Sequence, residues 1–238
     1  GFVSPEVMSP FGNVDVIFVH AKNREKAFVE EGYGTKRYAV MHNDFIILGP
    51  ADDPAGIKGM QDAQTALEKI AKTQSLFVSR GDDSGTHTKE QNLWKSTDLP
   101  LEKESTSIVK KGSKAEVSFV HPKGLGKWYL AVGQGMGKAL TIAEEKQAYI
   151  LCDRGTYLKY KLGRDQGLDL NILCEGDSEL YNPYGVIPIN PEKYPHVDYK
   201  LAKQFAEWLV SEQGQSVIAN YKLLGKQLFY PDAIPDIQ

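Results

Sequence analysis

Short, mostly apolar runs alternate with helical patterns along the first third of the chain. The apolar runs are VDVIFVHA (14–21), AVMHNDFIILGP (39–50) and SLFVS (75–79), and helical spacing follows the first two at 23–32 and 60–73. Strands that lack polar alternation are buried on both faces, which is typical of a largely parallel sheet covered by helices. We therefore expect an α/β protein in which each strand leads into a helix.

The same alternation continues through the second half of the chain. The predicted order is a helix at GMGKALTIAEEK, a strand at AYILC, a helix at DRGTYLKYK, and strands at LDLNILC and YGVIPIN. After these comes YKLAKQFAEWLVSEQGQSVIANYK, whose spacing predicts two amphipathic helices broken near Gly214. Asn23 is expected to cap the first helix of the chain.

Residues 102–127 interrupt this rhythm. They carry six lysines against three glutamates, and SIV and VSFV are short strand candidates within them. The pattern predicts a hairpin or an extended excursion on the surface. A solvated insertion is the plainer interpretation, and a partner-docking arm is the alternative.

Composition and charge argue against nucleic-acid binding and against membrane insertion. The chain has 238 residues, a net charge of −3 and a pI near 6.0, which gives no electrostatic reason to expect binding to nucleic acid. No run approaches the ~18 to 20 apolar residues that cross a bilayer, and GFVSPEVMSPFG lacks the pattern of a signal peptide. We expect a soluble chain, without membrane insertion, from which any leader has been removed.

Two cysteines stand toward the ends of two predicted strands, Cys152 in AYILC and Cys174 in LNILC. If those strands are parallel neighbours, the thiols can form a disulfide in an oxidising compartment. The alternative is a pair of buried free thiols, and the sequence leaves both open.

The stretch SRGDDSGTH (79–87) lies at the junction between a buried strand and a helix. The first amides of a helix have no intrahelical partner and the helix dipole is positive there, so such a junction suits an anion. Gly81 and Gly85 allow close approach of the backbone, Ser84 and Thr86 offer hydroxyl donors, and Arg80 offers a planar fork of donors. The sequence predicts an oxyanion site at this junction.

Asp82 and Asp83 have the wrong charge for such a site. Either residue can orient Arg80 or cap the helix, and both roles turn the carboxylate away from an anion. The alternative interpretation has no ligand: Asp83 or Ser84 caps the helix and Arg80 makes a surface ion pair.

The pattern Arg80-x-Asp82-x-Ser84-Gly85-Thr86 resembles the oxyanion motif of periplasmic phosphate-type binding proteins. From about residue 14 to residue 233 the chain also resembles the tungstate-binding proteins of bacterial tungstate ABC importers, in stretches such as NDFIILGPADDPAGIKG, FVSRGDDSGTH, WYLAVGQGMGKAL and NPYGVIPINPEKYPHV. The resemblance implies a two-lobed type II periplasmic binding protein that closes on tungstate, and less readily on molybdate. It implies no enzyme activity and no cofactor. The implied partner is the permease of an ABC transporter, and the implied location is periplasmic or extracellular, with a lipid anchor upstream of the mature chain as one form.

The resemblance also assigns lobes and site residues. It implies one lobe from residues 1–46 and 183–238 and a second from residues 47–182, with crossings at NDFII and NPYGV. The implied ligand-binding residues are Ser79, Arg80, Ser84, Gly85 and Thr86, together with the backbone amides of Gln134, Gly135 and Met136. Implied supporting residues are Asp82, Asp83, Arg154 and Thr156, and Tyr184 is a candidate for the cleft.

The chain departs from the family at its amino terminus. Family members begin with a strand and a helix before the VDVIFVHA strand, including a Thr/Ser-rich loop that donates to the oxyanion. Here only GFVSPEVMSPFGN stands there, with Ser4 and Ser9 as its hydroxyls. Three explanations stay open: the chain is truncated, its short amino terminus substitutes for the missing donors, or the protein has drifted from tight oxyanion binding. Two alternatives remain open: a phosphate, sulfate or molybdate carrier of the same fold, and a sensor or interaction module with a degraded anion site.

Other motifs fail on their spacing. GQGMGKAL has Val132 and Ala139 where a phosphate-binding loop needs a glycine and a hydroxyl residue, and it lacks the third glycine of a dinucleotide site. Ser84, His87 and Asp82 lack the nucleophile elbow of a hydrolase. The histidines do not have metal-ligand spacing, so no metal site is expected.

Overall fold

The chain forms two compact units and passes between them after Asn43 and again after Leu180. This computed structural model describes residues 14–110, 113–123 and 126–234. The amino-terminal stretch, which contains Ser4 and Ser9, lies outside the described residues. The first unit comprises the residues before Asp44 and after Leu180, and the second is Asp44–Leu180.

Helices and strands alternate along the described chain. The helices are α1 (Lys22–Glu30), α2 (Ala63–Lys72), α3 (Gly85–Ser96), α4 (Met136–Glu145), α5 (Arg154–Gly163), α6 (Tyr199–Leu209) and α7 (Glu212–Asn220). The strands are β1 (Val16–Val19), β2 (Tyr38–Gly49), β3 (Phe77–Ser79), β4 (Leu101–Lys110), β5 (Ser113–Pro122), β6 (Tyr129–Ala131), β7 (Tyr149–Asp153), β8 (Asn171–Cys174), β9 (Tyr181–Pro188), β10 (Lys222–Leu223), β11 (Lys226–Gln227) and β12 (Tyr230–Pro231). Among the described helices, none combines the length and the apolar character that crossing a bilayer requires.

The first unit is built on antiparallel pairs. β1 runs antiparallel to β9, and β12 runs antiparallel to the first half of β2. Its core consists of two buried clusters, one around Phe28 and Ile187 and one around Val40 and Ala206. The amphipathic helix α6 supplies the second cluster because Ala202, Ala206 and Leu209 repeat at helical spacing on one face.

The second unit contains the larger core. β3 lies between β6 and β7 and is parallel to both, while the second half of β2 pairs antiparallel with β7 and with β8. The helix α2 buries Ala63, Ala66, Leu67, Ile70 and Ala71 against this sheet. The fully buried Trp94 of α3 joins the same cluster with Phe77 and Tyr149.

The α/β class expected from the sequence is confirmed, but the expectation of mainly parallel sheets is wrong for β2 and for the pairing of β1 with β9. An apolar run predicts burial on both faces and says nothing about strand direction.

Two helix ends also differ from the sequence-based expectation. The first helix begins after Ala21, and its first turn is closed by the Glu25 carboxylate, which accepts from the Ala21 amide at 2.5 Å, rather than by Asn23. The final helix pair breaks at Ser211, whose hydroxyl accepts from the amide of Gly214.

β4 and β5 form the hairpin predicted within 102–127. They pair antiparallel in register, from Leu101 opposite Pro122 to Lys110 opposite Ser113. One face of the hairpin is buried through Ile108, Val117, Phe119 and His121. The hairpin is therefore not a wholly solvated insertion, since this face contributes to the second unit.

Cys152 and Cys174 are buried free thiols. Leu48 of β2 lies opposite Ile150 of β7 on one side and Ile172 of β8 on the other, so β2 separates the two cysteine strands. Two strand spacings amount to about 9.6 Å, well beyond the roughly 7 Å that a disulfide can bridge. Burial raises the pKa of both thiols, that of Cys174 to about 12.

We expect both thiols to stay reduced in the folded protein, even after exposure to an oxidising buffer. Thiol titration should detect no reactive cysteine in the native chain and two in denaturant without reductant. The melting temperature should be unaffected by reductant. An intact mass lower by two hydrogens would contradict the strand order.

Candidate anion-binding site

Three parallel strands of the second unit end at one edge of the sheet, and each leads into a helix. β3 is followed by α3, β6 by α4 and β7 by α5. Because parallel strands end together, the amino termini of these three helices face the same side of the sheet. Their unpaired first amides and positive dipole ends make this edge favourable for an anion.

Backbone pairing continues beyond the ends of β3 and β6. The Val132 amide donates to the Ser79 carbonyl at 3.0 Å, and the Gln134 amide donates to the Arg80 carbonyl at 3.1 Å. Gly81 adopts φ +56°, and a Cβ on it would lie 3.0 Å from the Cβ of Ala131. The loop after β3 and the loop after β6 are therefore packed side by side, which only glycine at position 81 allows without strain.

Arg80 lies at the centre of this arrangement. Its Nη2 donates to Asp82 Oδ2 at 2.5 Å and its Nη1 donates to the Thr86 hydroxyl at 3.4 Å. Its buried Nε has no hydrogen-bond acceptor among the residues that the structure describes. The side chain is 15% exposed, so Arg80 is a largely buried cation with hydrogen-bonding capacity left over.

Asp82 performs one of the two roles that the sequence left open, since it pairs with Arg80, while the capping residue of α3 is Ser84. Besides the pair with Arg80, its Oδ1 accepts from the Ser84 amide at 3.2 Å. Burial alone would raise the pKa of Asp82, but hydrogen bonds from Ser84 and the charge of Arg80 bring it below the usual value. Asp82 is therefore ionised near neutral pH, and its charge is directed at Arg80 and the helix start.

The start of α3 is held by His87, which sequence reasoning weighed as a catalytic base and as a metal ligand but not as a support for the loop. Asp83 has φ +56°, a conformation that disfavours most side chains, and its amide donates to His87 Nδ1 at 3.1 Å. Ser84 caps the helix by accepting from the His87 amide at 3.3 Å. Burial lowers the pKa of His87, so the ring is a neutral acceptor that fixes the loop.

Ser79 faces a second buried group that the sequence did not reveal. Ser79 is fully buried, and its hydroxyl oxygen accepts from the Gly81 amide at 3.3 Å. Below it lies Glu90 of α3, whose Oε1 accepts from Tyr129 at 2.6 Å and from the Trp94 indole at 3.2 Å. Burial raises the pKa of Glu90 to about 7, against hydrogen bonds from Tyr129, Ser79 and others.

Gln134, Gly135 and Met136 lie beside the Arg80 loop, with one correction. The Gln134 amide is committed to the Arg80 carbonyl and is not a donor for a ligand. Gly135 caps α4 and is exposed, and Met136 is the first residue of the helix. Their amides stand in the first turn, where a helix offers no internal acceptor.

Arg154 and Thr156, two of the predicted supporting residues, are engaged with other side chains. Arg154 begins α5 at the same sheet edge, but its guanidinium binds both Asp44 oxygens, at 2.7 and 2.5 Å, and also Glu175 at 2.7 Å. The amide and hydroxyl of Thr156 donate to the capping side chain of Asp153. Both contacts are structural support.

Tyr184 belongs to the first unit. Its ring lies 4.9 Å from that of His20, and its hydroxyl accepts from Asn182 at 3.4 Å. The structure therefore brings together Ser79, Arg80, Asp82 to Thr86 and Gly135 to Met136, and it assigns Tyr184 to a separate group of side chains.

Comparison with known proteins identifies the family of the chain. The profile of the PBP superfamily domain matches residues 9–213. The tungstate-binding protein TupA of Peptoclostridium acidaminophilum is 42% identical over 95% of this chain and 71% of its own length. A protein of Haloferax volcanii, named for anion binding in an ABC transporter, is 44% identical over 94% of this chain, which spans only 59% of that protein.

A solved structure agrees in fold as well as in sequence. The tungstate-binding protein TupA from Desulfovibrio alaskensis superposes with a TM-score of 0.82 at 43% identity. The match covers 95% of this chain and 82% of that one.

Glu90→Gln should change how stability depends on pH. The pKa of Glu90 in the folded protein, about 7, lies above the ordinary value of 4.5 for a glutamate, so the protonated form favours folding. The contribution of Glu90 to the free energy of unfolding is fully present below about pH 4.5 and is lost as the pH rises through about 7. The loss amounts to at most about 3 kcal/mol. Glutamine keeps an uncharged acceptor for Tyr129, so the decline in unfolding free energy between about pH 5 and about pH 7.5 should shrink.

Chemical denaturation of both proteins at each pH measures this effect. Burial of His87 acts with the opposite sign in both proteins, so their difference isolates Glu90. Glu116→Gln, an exposed change on β5, is the matched control and should keep the wild-type slope. Equal slopes in wild type and Glu90→Gln would contradict the assignment.

Proposed function

Because the chain belongs to the PBP superfamily and to the family of the tungstate-binding protein TupA, we propose that it captures a tetrahedral oxyanion, tungstate first and molybdate less readily. The protein acts outside the cytoplasm as the solute-binding component of an ABC importer, with the two compact units as its lobes. It delivers the anion to the permease and catalyses no reaction on it.

The observation that carries this proposal is the position of Arg80 between two helix starts. The amino termini of α3 and α4 are held side by side by the pairing of residues 79–80 with residues 132–134. A largely buried guanidinium beside unpaired amides is a site for an oxyanion, since each charge-assisted hydrogen bond contributes roughly 1.5 to 3 kcal/mol. Gly85 and Gly135, both exposed, leave the backbone open to a ligand.

The state of Asp82 supports a fully ionised anion over hydrogen phosphate. A protonated phosphate needs an acceptor in its site, and an unengaged carboxylate would supply one. Asp82 instead accepts from Arg80 and Ser84 and stays ionised, because its pKa lies below the usual value. The other groups around Arg80, namely Ser84, Thr86 and the first amides of α3 and α4, can all donate. Between anions of equal charge, the preference for tungstate rests on the relatives.

Arg80→Gln should weaken tungstate binding by about tenfold or more, because it removes the charge and the planar donor fork. Isothermal titration with sodium tungstate measures the effect. Arg164→Gln is the matched control: it removes the same charge from the same unit, at a side chain that is 39% exposed and pairs with Glu144. Unchanged affinity in Arg80→Gln would exclude Arg80 as a ligand.

The rank order of anions decides between tungstate transport and its alternatives. Titration of the wild-type chain with tungstate, molybdate, sulfate and phosphate should give the tightest binding with tungstate and weaker binding with molybdate. Preference for phosphate or sulfate would make the protein a different carrier of the same fold. The absence of binding to all four anions would favour a sensor or interaction module.

A further inference from the structure

We propose that the hairpin of β4 and β5 carries a binding site for a divalent transition-metal ion, formed by Glu102, Glu104 and His121. Glu102 lies directly opposite His121 in the strand register, and Glu104 lies opposite Phe119, so all three side chains belong to one face of the hairpin. One potential ligand atom from each residue lies within 4.8 Å of the other two. The site is separate from the anion loop and does not depend on the proposed transport function.

The hydrogen bonding of His121 fixes which nitrogen is available. Its Nδ1 lies 3.0 Å from the carbonyl oxygen of Pro122. A carbonyl only accepts, so Nδ1 carries a proton, and in the neutral ring Nε2 then presents a lone pair. Donation from the second nitrogen to a backbone carbonyl is also the arrangement that orients metal-binding histidines.

The lone pair at Nε2 has no hydrogen bond to satisfy it. Nε2 is buried and without a hydrogen-bond partner in the described part of the chain, and His121 as a residue is only 9% exposed. The nearest charged atom is Glu104 Oε1, at 3.3 Å. Two acceptors facing each other repel unless a proton or a metal ion lies between them.

The spacing of these two atoms suits a metal ion. Bonds of about 2.1 Å in tetrahedral geometry place two ligand atoms about 3.4 Å apart, close to the observed 3.3 Å between Nε2 and Glu104 Oε1. Glu102 Oε1 lies 3.9 Å from Nδ1, and its side chain is 39% exposed. The proposed site requires that carboxylate to turn toward Nε2 to take the third position.

The surroundings make His121 a rigid ligand. Its ring stacks on Tyr129 with centroids 5.3 Å apart and also contacts Phe119. The two carboxylates, by contrast, are open to solvent on the outer side, at 39% and 60% exposure. Such a site has one fixed nitrogen, two adjustable oxygens and room for water.

This ligand set selects a class of metal. One imidazole with two carboxylates suits zinc and neighbouring divalent ions of the first transition row better than calcium or magnesium, which prefer oxygen ligands alone. The sequence did not predict the site, because Glu102 and His121 lie far apart along the chain and meet only through the strand register. Bound metal would join the two strands near the base of the hairpin.

The test is titration of the full chain, freed of metal with chelator and of any affinity tag, with zinc chloride. We expect one zinc ion per chain and a rise in melting temperature on binding. Glu104→Gln should weaken zinc binding by about tenfold or more. Glu116→Gln, on β5 but opposite Ser107 on the other face of the hairpin, removes the same charge and should bind zinc like the wild type.

A second readout locates the metal on the ring. In NMR spectra of the histidine nitrogens, zinc should shift Nε2 of His121 and leave the protonated state of Nδ1 intact, in wild type and in Glu116→Gln alike. Equal zinc affinity of wild type and Glu104→Gln would overturn the proposal. So would the absence of zinc binding, or a zinc-induced shift confined to other histidines.

Discussion

The parallel pairing of β3 with β6 and β7 is the constraint on which the candidate anion site depends. It aligns the carboxyl ends of three strands, and each strand turns directly into a helix at that edge. The pairing then extends past the strands through the Ser79 and Arg80 carbonyls, which hold the loop after β6 in place. Without that alignment the donors of α3 and α4 would belong to unrelated surfaces, and Arg80 alone would be an ordinary surface cation.

The same geometry gives each of the two carboxylates near the site hydrogen-bond partners within the protein. Asp82 is turned toward Arg80 and the Ser84 amide, and Glu90 is buried beneath Ser79 among Tyr129 and Trp94. The two carboxylates differ in environment, and burial without a cation raises the pKa of Glu90 while hydrogen bonds and Arg80 lower that of Asp82. An acidic loop sequence is thus compatible with an electropositive edge.

The alternation of apolar runs and helical patterns was enough to predict the α/β class, the hairpin and the strand-to-helix junction that carries Arg80. These features are local, because burial on both faces and donors at a helix start are visible within a few residues. Strand direction, by contrast, depends on which distant segments pair. β2 pairs antiparallel with β7 and β8, and its position between them also separates Cys152 from Cys174.

The same limit explains the misassigned Gln134 amide and the unpredicted role of His87. The Gln134 amide is taken by a carbonyl more than fifty positions away in the sequence, and this partner follows only from the parallel pairing. The Asp83 amide donates to His87 because the backbone at Asp83 adopts a left-handed conformation, which the local sequence does not predict. Predictions failed where a residue's partner is chosen by tertiary structure.

The two glycines beside Arg80 differ in what surrounds them, and this difference matters for engineering. Gly81 is enclosed by Ala131, whereas a methyl group at Gly135 would meet no atom within 4 Å and its backbone needs no left-handed conformation. Larger residues at position 135 therefore alter the volume available beside the helix start while the scaffold stays intact. If the chain binds an oxyanion as proposed, position 135 is therefore where a side chain could narrow the space for the anion without disturbing the backbone.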